Sequence, residues 1–119
     1  RFDILDKISE LLPEFPLVLH GASSIPQELV KTINEFGGEI SNARGIPTEQ
    51  IRRAVEKNIC KINVDSDARL AFTAAVRQSL INHPTNIDPR KYLTGAMTKM
   101  KEIYIWEICE VMKSENRAI

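Results

Sequence analysis

His20 stands at the end of a short apolar run, Leu17-Val18-Leu19, and is followed by Gly21-Ala22-Ser23-Ser24. Strand, tight turn and helix is the order this composition predicts. It puts one imidazole and several free backbone N–H groups at the carboxyl end of a strand, where α/β proteins bind ligands. A neutral imidazole in that place can ligate a divalent metal. Consecutive N–H groups with serine hydroxyls beside them suit a phosphate. Alone, each feature has a commoner reading: a hydrogen-bonded structural histidine, and an ordinary strand-to-helix turn. A second stretch, Asn63-Val64-Asp65-Ser66, ends another apolar run and opens another helix. Two such loops at the ends of neighbouring strands point to an anion site more specifically than either does. Lys61, on the same strand face as Asn63, can neutralise charge deeper in that site or pair with a carboxylate. Asp88-Pro89-Arg90 reads as a helix start. Arg90 opposes the helix dipole there, so an acidic partner is expected; the alternative is a solvated surface arginine. His83, before Pro84, belongs to no ligand pattern and is expected at the surface.

The elements that position these residues follow from periodicity. Phe2, Leu5, Ile8, Leu11 and Leu12 recur at helical spacing over residues 2–12, and Pro13 ends that helix. Residues 16–20 form the first strand. A helix over about 26–36 buries Leu29, Val30, Ile33 and Phe36, and Gly37-Gly38 stops it. A further helix begins at Ile46-Pro47-Thr48-Glu49 with Ile51, Ala54 and Val55 inward. Residues 59–64 form the second strand, with Cys60, Ile62 and Val64 on the face that packs against helices and Lys61, Asn63 and Asp65 on the other. Asp65-Ser66-Asp67 supplies N-caps for a helix to about Asn82 in which Leu70, Ala74 and Leu80 are apolar positions. The last helix runs from Pro89 to about Ser114, with Leu93, Met97, Met100, Tyr104, Ile108 and Val111 as its apolar stripe. The Met97, Met100, Tyr104 and Trp106 region reads as packing or subunit contact. Glu115 to Ile119 is expected to fray. Two strands joined by helical crossovers imply a parallel pair. Two strands cannot cover all these apolar helix faces, so the expected fold is α/β, the C-terminal part of a (β/α)₈ TIM barrel: about the last two βα units plus a helical extension over 84–119. In such barrels a phosphate often lies between the loops after the last two strands.

Composition narrows the function classes. The chain has 119 residues, 43% hydrophobic and 27% charged, with sixteen Lys+Arg against sixteen Asp+Glu. This balance gives no general attraction to nucleic acid or to a membrane surface. No apolar run reaches the length of a membrane span, and no secretory signal pattern is present. Cys60 and Cys109 lack metal spacing and are expected as free thiols in a cytoplasmic protein. The chain starts at Arg1, directly in a helical pattern, and is expected to be a piece of a longer protein.

Four blocks then carry a resemblance: Leu-Val-Leu-His-Gly-Ala-Ser-Ser-Ile-Pro (17–26), Gly-Ile-Pro-Thr-Glu-Gln-Ile-Arg (45–52), Cys-Lys-Ile-Asn-Val-Asp-Ser-Asp-Ala-Arg-Leu-Ala-Phe (60–72) and Asp-Pro-Arg-Lys-Tyr-Leu (88–93). In order and spacing they resemble the C-terminal part of class II fructose-bisphosphate aldolases. The resemblance implies a glycolytic lyase, a metal-dependent barrel that reversibly cleaves fructose 1,6-bisphosphate into dihydroxyacetone phosphate and glyceraldehyde 3-phosphate. In that family three histidines hold one Zn²⁺, which polarises the ketone oxygen, and His20 matches the last of the three. Gly21, Ala22 and Ser23 match the loop that binds the ketose phosphate, and Gly21 the part that helps hold a monovalent cation, K⁺ or Na⁺. Asn63, Val64, Asp65 and Ser66 match the second phosphate and substrate loop. Arg90 matches an arginine that reaches a neighbouring subunit's site, so a homodimer or homotetramer is implied. Many relatives have Gly-Gly-Ser-Gly after the histidine, where this chain has Gly-Ala-Ser-Ser; a positive φ at Ala22 would break the match. Asp65 favours fructose over tagatose bisphosphate. The other zinc ligands and the acid–base residues precede residue 1 in the family, so this segment holds no catalytic residue and is expected to be inactive alone. The alternatives are a tagatose-bisphosphate aldolase and a non-catalytic sugar-phosphate-binding α/β module.

Overall fold

The computed structural model describes residues 1–117; Ala118 and Ile119, the end of the tail expected to fray, lie outside the described residues. The order is α1 (Phe2–Leu11), β1 (Leu17–Leu19), α2 (Gln27–Glu35), α3 (Thr48–Val55), β2 (Ile59–Ile62), α4 (Ser66–Asn82) and α5 (Pro89–Trp106), and a π-turn (Glu107–Val111) ends it. The order predicted from periodicity is the order observed, in an α/β arrangement.

The two strands pair in parallel, with Leu17 opposite Ile59, Val18 opposite Lys61 and Leu19 opposite Ile62. That register skips Cys60. Here the expected alternation fails: Ile59 is buried, while Cys60 is exposed rather than packed against helices. An unpaired extra residue breaks the period of two. Both cysteines are free. Beyond the strands the pairing continues, because Asn63 N–H donates to the Leu19 carbonyl at 3.0 Å. The residues after the two strands are thereby held side by side.

The crossover is α2 and α3. Val30 and Ile33 are the buried positions of α2, and Leu29 and Phe36 are half-buried. The helix stops in a Schellman motif: Gly37 has φ +82°, and Gly38 N–H donates to the Ile33 carbonyl at 2.8 Å. Gly37→Ala is therefore expected to cost about 1 kcal/mol, measured as a lower urea midpoint of the full-length chain.

Helices α4 and α5 form an antiparallel pair through small residues. Ala68, Ala71 and Ala74 on α4 and Ala96 on α5 are all at most 3% exposed, and small side chains let the axes approach closely. This overturns the stripe expected on α5. Val111 is buried and Met100 half-buried, but Leu93, Met97, Tyr104 and Ile108 face outward. The inward face is Ala96, Met100, Ile103, Glu107 and Val111, because alanine rather than a large residue marks the contact. Leu80 on α4 is likewise exposed. The last helix also ends earlier than expected, widening at Glu107 into a π-turn in which Met112 N–H donates to the Glu107 carbonyl at 2.8 Å.

The whole is a slab of 59 × 36 × 16 Å with a radius of gyration of 17.3 Å. A closed domain of this length would measure about 14 Å. Val18, Ile4, Leu12 and Phe15 are each roughly half exposed. Among the described residues no helix is long and apolar enough to cross a membrane.

Candidate functional site

The parallel pairing brings the two predicted loops together. His20 directly follows β1 and Asn63 directly follows β2. Asn63 Nδ2 and His20 Nδ1 lie 2.9 Å apart. The Asn63 amide can present either its N–H₂ or its C=O to that ring nitrogen. As placed, the N–H₂ donates to Nδ1; turned about, the amide would accept from Nδ1–H through its C=O and leave the Nε2 lone pair for a metal, the oriented-ligand pattern of metal sites. The imidazole is exposed, so it supplies one donor at an open rim. Among the described residues no three His, Cys, Asp or Glu side chains converge as a ligand set.

The turn after His20 has the backbone that the phosphate reading needs. Gly21 has φ +63°, where an L side chain would be strained even though the space is open. Ala22 is buried and is not among the positive-φ residues, so alanine fits there. Among the described residues the N–H groups of Gly21, Ala22 and Ser23 have no hydrogen-bond partner. The next two amides are taken. Ser24 N–H and Oγ–H both donate to Asp67 Oδ2, at 2.7 and 2.9 Å, and Ile25 N–H donates to Asp67 Oδ1 at 2.8 Å. Ile25 has φ +52°, a conformation that costs a β-branched residue about 1–2 kcal/mol. The fully buried Asp67 carboxylate holds it there.

A third segment supports the turn from outside. Ile46 N–H donates to the Ser23 carbonyl at 3.0 Å, and Gln27 Nε2–H donates to the Ile25 and Ala43 carbonyls at 2.9 and 3.0 Å. Gly45 lies so close that a Cβ on it would collide with Ser23 O and with Ser24 C and O. Ile103 and Trp106 of α5 complete a cleft of about 360 Å³ with Ser24–Gln27 and Ile46–Thr48.

On the second loop, Val64 and Ser66 are half-buried and Asp65 is exposed. The expected capping does not occur: Asp65 precedes α4 but makes no side-chain cap. Its carboxylate accepts from Arg69 Nε at 2.8 Å, which raises the Arg69 pKa. Asp67, also read as a cap, points to the Ser24–Ile25 turn instead. Lys61 is exposed. His83 is exposed, as expected.

Arg90 is not brought to this cluster. It starts α5, beyond the far end of α4, a 17-residue helix about 25 Å long. Its expected acidic partner is Asp88, which accepts from Arg90 Nη2 at 2.7 Å and caps the helix by accepting from Arg90 N–H at 3.0 Å. The guanidinium holds the Asp88 carboxyl below its ordinary pKa.

Three residues escaped the sequence reading: Asp67, Gly45 and Glu107. Glu107 is 3% exposed and comes back to Asp67 because α5 runs antiparallel to α4. The signal was a carboxyl in the row Ile103, Glu107, Val111. Burial first, then the hydrogen bond and charge of Asp67, push its pKa up to about 7.

The model of the family described as fructose-bisphosphate aldolase class-II matches residues 1–117. The chain belongs to the class II fructose-bisphosphate aldolases. It is 48% identical over 118 residues to the fructose-bisphosphate aldolase of Treponema pallidum (strain Nichols), covering 99% of this chain and 36% of that protein. It is 52% identical over 99 residues to that of Thermus caldophilus, covering 83% and 32%. With that of Giardia intestinalis the identity is 41% over 106 residues, covering 87% and 33%. The chain thus spans about a third of the length of these aldolases. The match takes in both loops, the Gly45 segment and the α4–α5 pair. The family membership covers the segment that builds the His20–Asn63 cluster.

Proposed function

We propose that this chain is the C-terminal segment, about the last two βα units and a helical extension, of a (β/α)₈-barrel enzyme. The enzyme reversibly cleaves fructose 1,6-bisphosphate into dihydroxyacetone phosphate and glyceraldehyde 3-phosphate in cytoplasmic glycolysis. The observation that carries the reading is the His20–Asn63 contact at adjacent strand ends, with the free amides of residues 21–23 beside it. The open slab and the half-exposed Val18 support further strands closing a barrel over this sheet.

In this reading His20 is one of several ligands to a divalent metal, Zn²⁺, oriented by Asn63. When bound, the metal supplies Lewis acidity toward the substrate carbonyl. Gly21, Ala22 and Ser23 bind one phosphate through their N–H groups, and the Gly21 region helps hold a K⁺ or Na⁺ ion. Asn63, Val64, Asp65 and Ser66 form the opposing substrate wall, where the N-terminus of α4, which Asp65 does not cap, favours an anion. Residues 84–119 form a subunit contact in a homodimer or homotetramer. Arg90, remote from its own chain's cluster, binds the distal phosphate in a neighbour's site. Acid–base groups come from elsewhere in the enzyme, and the segment alone is inactive.

The test is cleavage of fructose 1,6-bisphosphate by the full-length chain before and after chelation. The expected result is activity abolished by EDTA and restored by Zn²⁺. Full activity with no metal bound overturns the reading.

A further inference from the structure

Glu107 and Asp67 form a buried pair of carboxyls that the reading above leaves unused. Asp67 is fully buried and Glu107 is 3% exposed. The two carboxyls lie against each other where α5 meets the start of α4, and a buried carboxyl pair avoids repulsion only when one of the two carries a proton. Asp67 already accepts from three donors through both of its oxygens, so it is the acceptor and Glu107 the proton carrier. Among the described residues no donor reaches the buried Glu107 Oε1. A buried carboxyl that no donor reaches keeps its proton, and Asp67 is the acceptor beside it.

Asp67 in turn fixes the Ser24–Ile25 turn, which continues the free amides of residues 21–23. We infer that Glu107 is a positioning residue for that loop: a carboxylic acid on the C-terminal π-turn that orients Asp67, and through it the phosphate-binding turn. This inference rests on the proposed reading of the loop as a substrate phosphate site. It gives the π-turn a role, since the wider turn presents Glu107 inward where α5 meets the start of α4.

Among the described residues, few charged groups belong to the elements packed around Glu107. From α4 it faces Asp67. From α3, Arg52 is occupied by the Glu110 carbonyl at 2.7 Å and by the Glu49 carboxylate. From β2, Lys61 lies in the cleft with Met112 and Ser114. The sign of the pH effect follows. The folded pKa is raised above the ordinary carboxyl value, so the latch is intact at low pH and is lost as pH rises through about 7.

The experiment compares wild type, Glu107→Gln and Glu107→Ala in the full-length chain at about pH 6 and about pH 8. The amide of Glu107→Gln keeps a donor that does not titrate. Glu107→Ala is expected to raise KM for fructose 1,6-bisphosphate about tenfold with kcat within about threefold, and Glu107→Gln to restore KM. Wild-type KM is expected to rise several-fold from the lower to the higher pH relative to Glu107→Gln. Equal KM for the alanine and glutamine variants, or parallel pH profiles for wild type and Glu107→Gln, overturns the inference. If Glu107→Ala does not fold, the pH comparison decides. Deuterium exchange of the peptide spanning residues 20–27 separates this inference from the function it rests on. If the full-length chain cleaves nothing, yet that peptide is better protected in Glu107→Gln than in wild type at the higher pH only, the function fails and the latch stands. Equal protection at both pH values overturns the latch.

Discussion

Replacing Asp67 with alanine is expected to lower the stability of the full-length chain by about 3 kcal/mol and to raise KM for the sugar bisphosphate at least about tenfold. The carboxylate has no exposed surface and accepts from Ser24 N–H, Ser24 Oγ–H and Ile25 N–H. Each buried hydrogen bond to a charged group contributes about 1.5–3 kcal/mol, and an unpartnered buried amide carries a desolvation cost of its own. The substitution also releases Ile25 from φ +52°, so part of the loss is offset as that residue relaxes. The relaxation is what harms binding, because it moves the turn that presents the amides of residues 21–23. Urea denaturation gives the first quantity and initial-rate kinetics the second. A loss below about 1 kcal/mol with unchanged KM would show that Asp67 does not hold the loop.

Gly45→Ala has the second-largest expected effect and acts by steric means alone. Gly45 does not have a positive φ, so alanine meets no backbone penalty there. Its Cβ would instead collide with Ser23 O and with Ser24 C and O. All three are backbone atoms, fixed by the Ile46-to-Ser23 hydrogen bond on one side and by Asp67 on the other. Nothing flexible can give way, so one loop must shift. The expected cost is about 2 kcal/mol, with KM raised about tenfold and kcat changed less. Wild-type KM and stability in Gly45→Ala would mean that the two loops are not packed against each other.

Gly45 also shows where the sequence stops being legible. The glycine lies in a polar connection between two helices, and nothing in its neighbours says that a carbonyl from residue 23 lies against it. The order of elements was readable because proline, glycine and apolar spacing mark helix ends locally. The pairing of His20 with Asn63 was readable because both follow short β-prone runs, and parallel strands align their ends. Burial was less readable. Period-two alternation fails at Cys60, where the strand register skips a residue. On α5 the large apolar residues suggested the inward face, but contact with α4 is made through alanines, so Leu93 and Met97 turn outward. Asp67 was read as a helix cap because Ser, Asp and Asn favour that position. Its partners are 43 and 42 residues away in sequence, a distance no local pattern reports. Glu107 required the antiparallel return of α5 before its meeting with Asp67 could be known.

On the proposed reading, His20 is a metal ligand beside a phosphate loop. Its most direct test is the metal content of the full-length chain and of His20→Ala, measured by elemental mass spectrometry after gel filtration. The expected result is about one zinc per wild-type chain and less than about a tenth in His20→Ala, with the fold retained by circular dichroism. Equal zinc in the two proteins, or none in an active wild type, would contradict it.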